Sequence, residues 1–83
     1  MTHLIKLRED YIEPVLSGEK SFEVRVNDRG YQKGDLVKFE AVSREGCLFV
    51  HEKLWKKTFE ITYVHSGLGL KENYVVFGIK EVG

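Results

Sequence analysis

The stretch Ser17-Gly18-Glu19-Lys20-Ser21-Phe22-Glu23-Val24-Arg25-Val26 decides the fold, because the period of the chain changes inside it. Before it, Asp10 can cap a helix running to about Ser17, with Tyr11, Ile12, Val15 and Leu16 on one face. Pro14 falls in or just after the first turn, early enough to be accommodated. Gly18 ends the helix, since glycine takes up the left-handed C-terminal conformation without steric cost. From Ser21 the period is two: Phe22, Val24 and Val26 alternate with Ser21, Glu23 and Arg25. That alternation predicts a strand with Phe22, Val24 and Val26 facing the core.

Working outward, His3 to Leu7 is a short strand candidate at the N-terminal side. Downstream, Asn27-Asp28-Arg29-Gly30 and Gly34-Asp35 are turn signals. Leu36 to Val42 reads as a strand with Val37, Phe39 and Ala41 on one side and Lys38 and Glu40 on the other. Arg44-Glu45-Gly46 reads as a hairpin tip. A longer strand is predicted from about Trp55 to Val64. It has Trp55, Phe59, Ile61 and Tyr63 pointing one way and Thr58, Glu60 and Thr62 the other. Ser66-Gly67-Leu68-Gly69 breaks it, and the continuous apolar run Tyr74 to Ile79 reads as a central, doubly buried strand. One helix followed by five or so strands at hairpin spacing predicts a mainly β (α+β) fold. The expected form is a small, closed or nearly closed β-barrel with one short N-terminal helix, spanning residues 1–83 as one domain. Closure would remove unpaired sheet edges that so short a chain can hardly cover.

Composition narrows the function classes. The chain has 83 residues, and a domain of that size buries only about 60–65% of the surface its unfolded chain exposes. Five Phe, four Tyr and one Trp supply much of the core volume. Thirteen basic residues balance thirteen acidic ones, so any affinity for phosphate must come from local patches and be sensitive to salt. The lone Cys47 permits no internal disulfide and reads as a small core residue. His3, His51 and His65 are far apart, and no metal site or cofactor is assigned. No apolar run reaches the ~20 residues of a membrane span, and the N-terminus lacks a leader signature, so the expected location is cytoplasmic.

The chemistry concentrates at the helix-to-strand junction. Glu23 and Arg25 are two apart on a strand and share a face about 7 Å apart. Lys20 is in phase with Phe22 and is expected at the barrel mouth, partly desolvated. Desolvation favours the neutral amine and would make Lys20 a base or nucleophile, while Glu23 nearby favours the ammonium. Arg25 offers the planar fork that suits phosphate or base recognition. Arg29, in the following turn with Asp28, can extend a positive rim with Lys33. Lys53, Lys56 and Lys57 flank Trp55, a pattern that can stack bases on single strands; strand alternation instead predicts Trp55 inward, as core. Gly67 and Gly69 fall far short of a nucleotide fingerprint and read as a turn.

Gly18, Lys20, Glu23 and Arg25 fill all four positions of the G-x-K-x-x-E-x-R signature of the ASCH family (activating signal cointegrator-1 homology), within the PUA-like superfamily. Val26-Asn27-Asp28-Arg29 with Gly34-Asp35, and the run Gly67 to Ile79, resemble the corresponding stretches of short single-domain members. Residues 43–57 match least. The resemblance implies a PUA-like barrel whose cleft, between barrel and helix, is lined by the motif and binds RNA or a nucleotide through Lys20, Glu23, Arg25 and Arg29. It also implies an alternative, an amidohydrolase acting on a modified nucleoside such as N(4)-acetylcytidine, with Lys20 as catalytic base. Glu23 stands there where that branch has threonine. A third class, a module holding an acidic peptide in the same cleft, suits the zero net charge equally.

Overall fold

A computed structural model describes residues 1–82. The elements in chain order are β1 (Thr2–Arg8), α1 (Glu9–Ser17), β2 (Phe22–Val26) and β3 (Leu36–Val42). Then follow β4 (Leu48–Phe49), α2 (Glu52–Trp55), β5 (Thr58–Ser66) and β6 (Tyr74–Val82). The fold is mainly β, as expected, with two helices rather than one. The strands form one sheet in the order β1-β3-β5-β6-β2, with β4 attached to β3. Only β1 and β3 run parallel; the other ladders are antiparallel. No helix among the described residues is long and apolar enough to cross a membrane.

The core lies on one face of the sheet. Ile5, Leu7, Val37, Phe39, Phe59, Ile61, Phe77 and Ile79 pack there beneath Ile12 and Val15 of α1, with Leu54 of α2 closing one side. Tyr31 joins this core through its ring, whose centroid lies 4.8 Å from both Phe77 and His3. His3 is buried, and its Nε2 is 2.8 Å from Asp35 Oδ2. Asp35 also receives the Gln32 N–H and faces the N-terminal ammonium. The His3 hydrogen bond, foremost, holds the Asp35 carboxyl below the usual carboxylate range.

Several expectations are corrected. Helix α1 begins at Glu9, not after an Asp10 cap; Arg8 is the capping residue, and Asp10 lies in the first turn, where it accepts from Arg44 Nε at 2.8 Å. Tyr11 is half exposed rather than core. The burial phase of β2 is inverted: Glu23 is 4% exposed, whereas Phe22, Val24 and Val26 face outward. Apolar alternation assigns a strand correctly but cannot choose its inner face when a buried carboxylate has charged partners.

Residues 52–55 form a helical turn, so β5 starts only at Thr58 and Trp55 is 55% exposed rather than core. His51 caps that turn, its Nδ1 accepting the Leu54 N–H. Further along β5, a bulge between Ile61 and Tyr63 turns Tyr63 outward. Gly78 sits opposite the bulge, and a Cβ there would lie 2.5 Å from Thr62 Oγ1, so the close strand approach requires glycine. β6 is flanked by β5 and β2 but keeps one face only half covered. Cys47 is exposed at the β3–β4 turn, not core.

Candidate functional site

The sheet's two outer strands, β1 and β2, have no hydrogen-bonded ladder between them. Their free edges face each other across a seam, and the motif side chains occupy it. The alternation within β2 explains which groups are free. Ser21 C=O accepts from Ile79 N–H and Asn27 N–H donates to Asn73 C=O. Odd-numbered residues of β2 therefore bond toward β6, and the main-chain groups of Phe22, Val24 and Val26 point to the open edge.

Cationic side chains cover both edges. Lys20 Nζ donates to Phe22 C=O at 2.9 Å, on the β2 edge. Arg25 donates through a terminal guanidinium nitrogen to Lys6 C=O, and Arg29 Nη1 donates to Leu4 C=O at 2.6 Å, both on the β1 edge. Buried Glu23 joins the cluster. Its Oε1 accepts from Lys20 Nζ at 2.7 Å and its Oε2 from Arg25 Nε at 3.2 Å. The carboxylate can be buried because each oxygen has a charged donor.

The local chain places these groups. Gly18, with φ of 84°, reverses the chain after α1, and Lys20 N–H donates to Pro14 C=O. This tight exit brings Lys20 back over α1, where its ammonium lies 5.0 Å from the Tyr11 ring centroid and 5.1 Å from that of Phe22. Both rings are half exposed and offer flat apolar faces beside a cation.

Beyond Arg25 the seam widens into a pocket of about 340 Å³ lined by Ile5, Arg25, Asp28, Arg29, Tyr31 and Tyr74, among others. Burial pushes the Tyr31 hydroxyl above its ordinary pKa, against the opposing pull of the Arg29 and Arg25 guanidiniums. The structure thus brings together all four residues singled out from sequence, Lys20, Glu23, Arg25 and Arg29. Sequence reading missed Tyr31 and the half-exposed ring of Tyr11. A lone aromatic after a glycine turn carries no ligand signal, and Tyr11 fits the apolar face of α1 as well as any core residue.

A family profile described as "Domain of unknown function (DUF3850)" matches residues 2–79. Among solved structures, the fold is similar to that in the crystal structure of hypothetical protein PH0355. That similarity has a TM-score of 0.65 at 16% sequence identity and covers 99% of this chain and 100% of that one. Among curated proteins, none matches the chain.

Proposed function

The chain belongs to the DUF3850 family, and from that premise, which assigns no activity, we propose that it binds RNA or a nucleotide along the β1–β2 seam. The observation that carries this reading is the alignment of Lys20, Arg25 and Arg29 on one seam, with the half-exposed rings of Tyr11 and Phe22 beside Lys20. Cations track a phosphate backbone, and flat rings receive bases without sequence preference. A guanidinium has five N–H donors; Arg25 uses two groups internally and Arg29 one, so donors remain for phosphate. The seam pocket is of a size that holds a small ligand.

We also read the fold as a PUA-like barrel of the ASCH type, in which side chains rather than a ladder span the last gap. Support comes from the G-x-K-x-x-E-x-R residues at a helix-to-strand junction and from the antiparallel course of β1 and β2.

The test is anisotropy of a short labelled RNA at low salt. Arg25→Ala and Arg29→Ala each weaken binding about tenfold and lower the salt slope by about one, with Lys33→Ala as a surface control. Equal binding by wild type and both variants overturns the assignment. The amidohydrolase alternative asks Lys20 to act on a bound nucleoside, whereas its Nζ is engaged by Glu23 Oε1 and Phe22 C=O. Our reading expects no release of cytidine from N(4)-acetylcytidine above a Lys20→Ala control.

A further inference from the structure

The seam pocket beyond Arg25 holds two polar groups that the fold leaves unused. The first is the Tyr31 hydroxyl. Tyr31 is 6% exposed, and its ring packs against His3 and Phe77. Among the described residues, this hydroxyl has no hydrogen-bond partner, and no side-chain polar atom sealed from solvent lacks one. The hydroxyl therefore opens on the pocket that Tyr31 lines with Arg25 and Arg29. Burial raises its pKa, so it remains a neutral phenol with a proton to donate. The second group is the Asp28 carboxylate, in the turn after β2 and in the same lining. Its main-chain N–H is bonded to Val26 C=O, but among the described residues the carboxylate has no hydrogen bond and no ion pair.

We propose that the seam pocket binds a nucleotide with a 5′-phosphate and a free 2′,3′-diol, its phosphate on Arg25, Arg29 and Tyr31 and its diol on Asp28. That group occurs in a free ribonucleotide and at the 3′ end of an RNA. The two guanidiniums are anchored on Lys6 C=O and Leu4 C=O, two residues apart on one strand edge and so about 7 Å apart. A phosphate set between them accepts from both forks. With the Tyr31 hydroxyl added, Arg25, Arg29 and Tyr31 donate to it from fixed directions.

Asp28 selects the end of a chain. It precedes Arg29 directly, so its carboxylate lies next to the phosphate position. In a nucleotide the neighbour of the phosphate is the sugar, not the base. A carboxylate is acceptor-only with two oxygens, which suits the two hydroxyl donors of a ribose diol. The same charge repels a second phosphate placed there. A nucleotide inside a chain carries its next phosphate on the 3′ oxygen and is disfavoured; a terminal one is not. The volume of about 340 Å³ lies at the low end of the ~300–1,000 Å³ of small-ligand sites and suits one nucleotide. Tyr74, half-buried in the same lining, offers a ring to the base.

This site rests on the RNA or nucleotide reading of the seam and narrows it, yet the two fail separately. A short 5′-labelled RNA is followed by anisotropy at low salt, once with a 3′-hydroxyl end and once with a 3′-phosphate. Adenosine 5′-monophosphate and its 2′,3′-dideoxy analogue are titrated by calorimetry. The 3′-hydroxyl RNA binds about tenfold tighter than the 3′-phosphate RNA. Asp28→Asn removes that preference. Tyr31→Phe, which keeps the ring packing, weakens the 3′-hydroxyl RNA about fivefold. Adenosine monophosphate bound about tenfold tighter than its dideoxy analogue identifies the free nucleotide as a ligand. Heat from neither, with the RNA preference present, identifies the RNA 3′ end; both results support the site. Equal affinity for the two RNA ends, with Arg25→Ala still weakening both, overturns the site and leaves the seam reading intact. So does a preference that survives Asp28→Asn, or an affinity unchanged in Tyr31→Phe. No binding of any probe, or binding indifferent to Arg25→Ala, overturns both.

Discussion

The sheet is interrupted twice, and the two gaps are filled by opposite chemistry. At the β1–β2 seam, Lys20, Arg25 and Arg29 cover strand edges, and Lys20 and Arg25 converge on buried Glu23. At the β3 gap, Phe39 is left between two ladders, and aromatic and apolar side chains form an open pocket. The seam residues therefore have two tasks. They replace missing ladder bonds and present the remaining donors to solvent. The exposed aromatic side chains at the gap, Phe49 and Trp55, make no such bond, so their exposure is surplus to the fold. A charged motif can be structural and ligand-binding at once, and mutations in it will mix the two effects. An exposed indole beside a pocket will not.

The largest expected effect follows from Glu23. Glu23→Ala leaves Lys20 and Arg25 without their shared partner, and costs about 2–3 kcal/mol, below the ~3–5 kcal/mol of a fully buried broken pair because both cations are partly exposed. Urea denaturation measures it. A loss within about 0.5 kcal/mol, the range for ordinary surface sites, would mean that the seam does not depend on this carboxylate.

Next comes the fixed wall of the seam, β1, whose N-terminal end is pinned by His3 and Asp35. The Asp35 carboxyl is held below its unfolded range of about 4. Its contribution is therefore complete above that range and is lost as pH falls through the lower folded value. Asp35→Asn should cost about 1–2 kcal/mol at neutral pH, with the wild-type advantage shrinking in acid. An advantage that grows in acid would reverse the assigned sign.

Arg29→Ala removes one edge bond and should cost about 1 kcal/mol, with faster amide exchange on β1 than on β6. Uniform exchange across both strands would argue against a local role at the seam. The smallest effect belongs to the gap. Trp55→Ala should change stability by about 0.5 kcal/mol, as at a surface site, where a buried tryptophan would cost about 3–5 kcal/mol. A loss in the larger range would place Trp55 back in the core.

Much of the strand layout was legible. The turn signals at Asn27–Gly30 and Arg44–Gly46, and the inward set Val37, Phe39 and Ala41, follow from local chemistry and reappear in the structure. The grouping of Lys20, Glu23, Arg25 and Arg29 was also legible, from spacing and resemblance. The inner face of β2 was not. Phe22, Val24 and Val26 look like core until the charged partners of Glu23, Lys20 and Arg25, are seen turned inward with it, held in place by main-chain carbonyls that include Lys6 C=O on β1. Residues 55–57 misled for a different reason. The apolar and β-prone residues near Trp55 fit a strand, and the His51 cap that makes them helical is a weak local signal. The Tyr63 reversal depends on a bulge set by Thr62 against Gly78, a cross-strand contact that alternation cannot show.

The central claim is that the seam contacts RNA, and amide chemical shifts followed by NMR while short mixed-sequence RNA is added at low salt test it most directly. The account predicts shifts clustered on residues 4–6 and 20–31 that fade together as salt rises. Shifts absent from both segments, while RNA binds elsewhere or not at all, would contradict it.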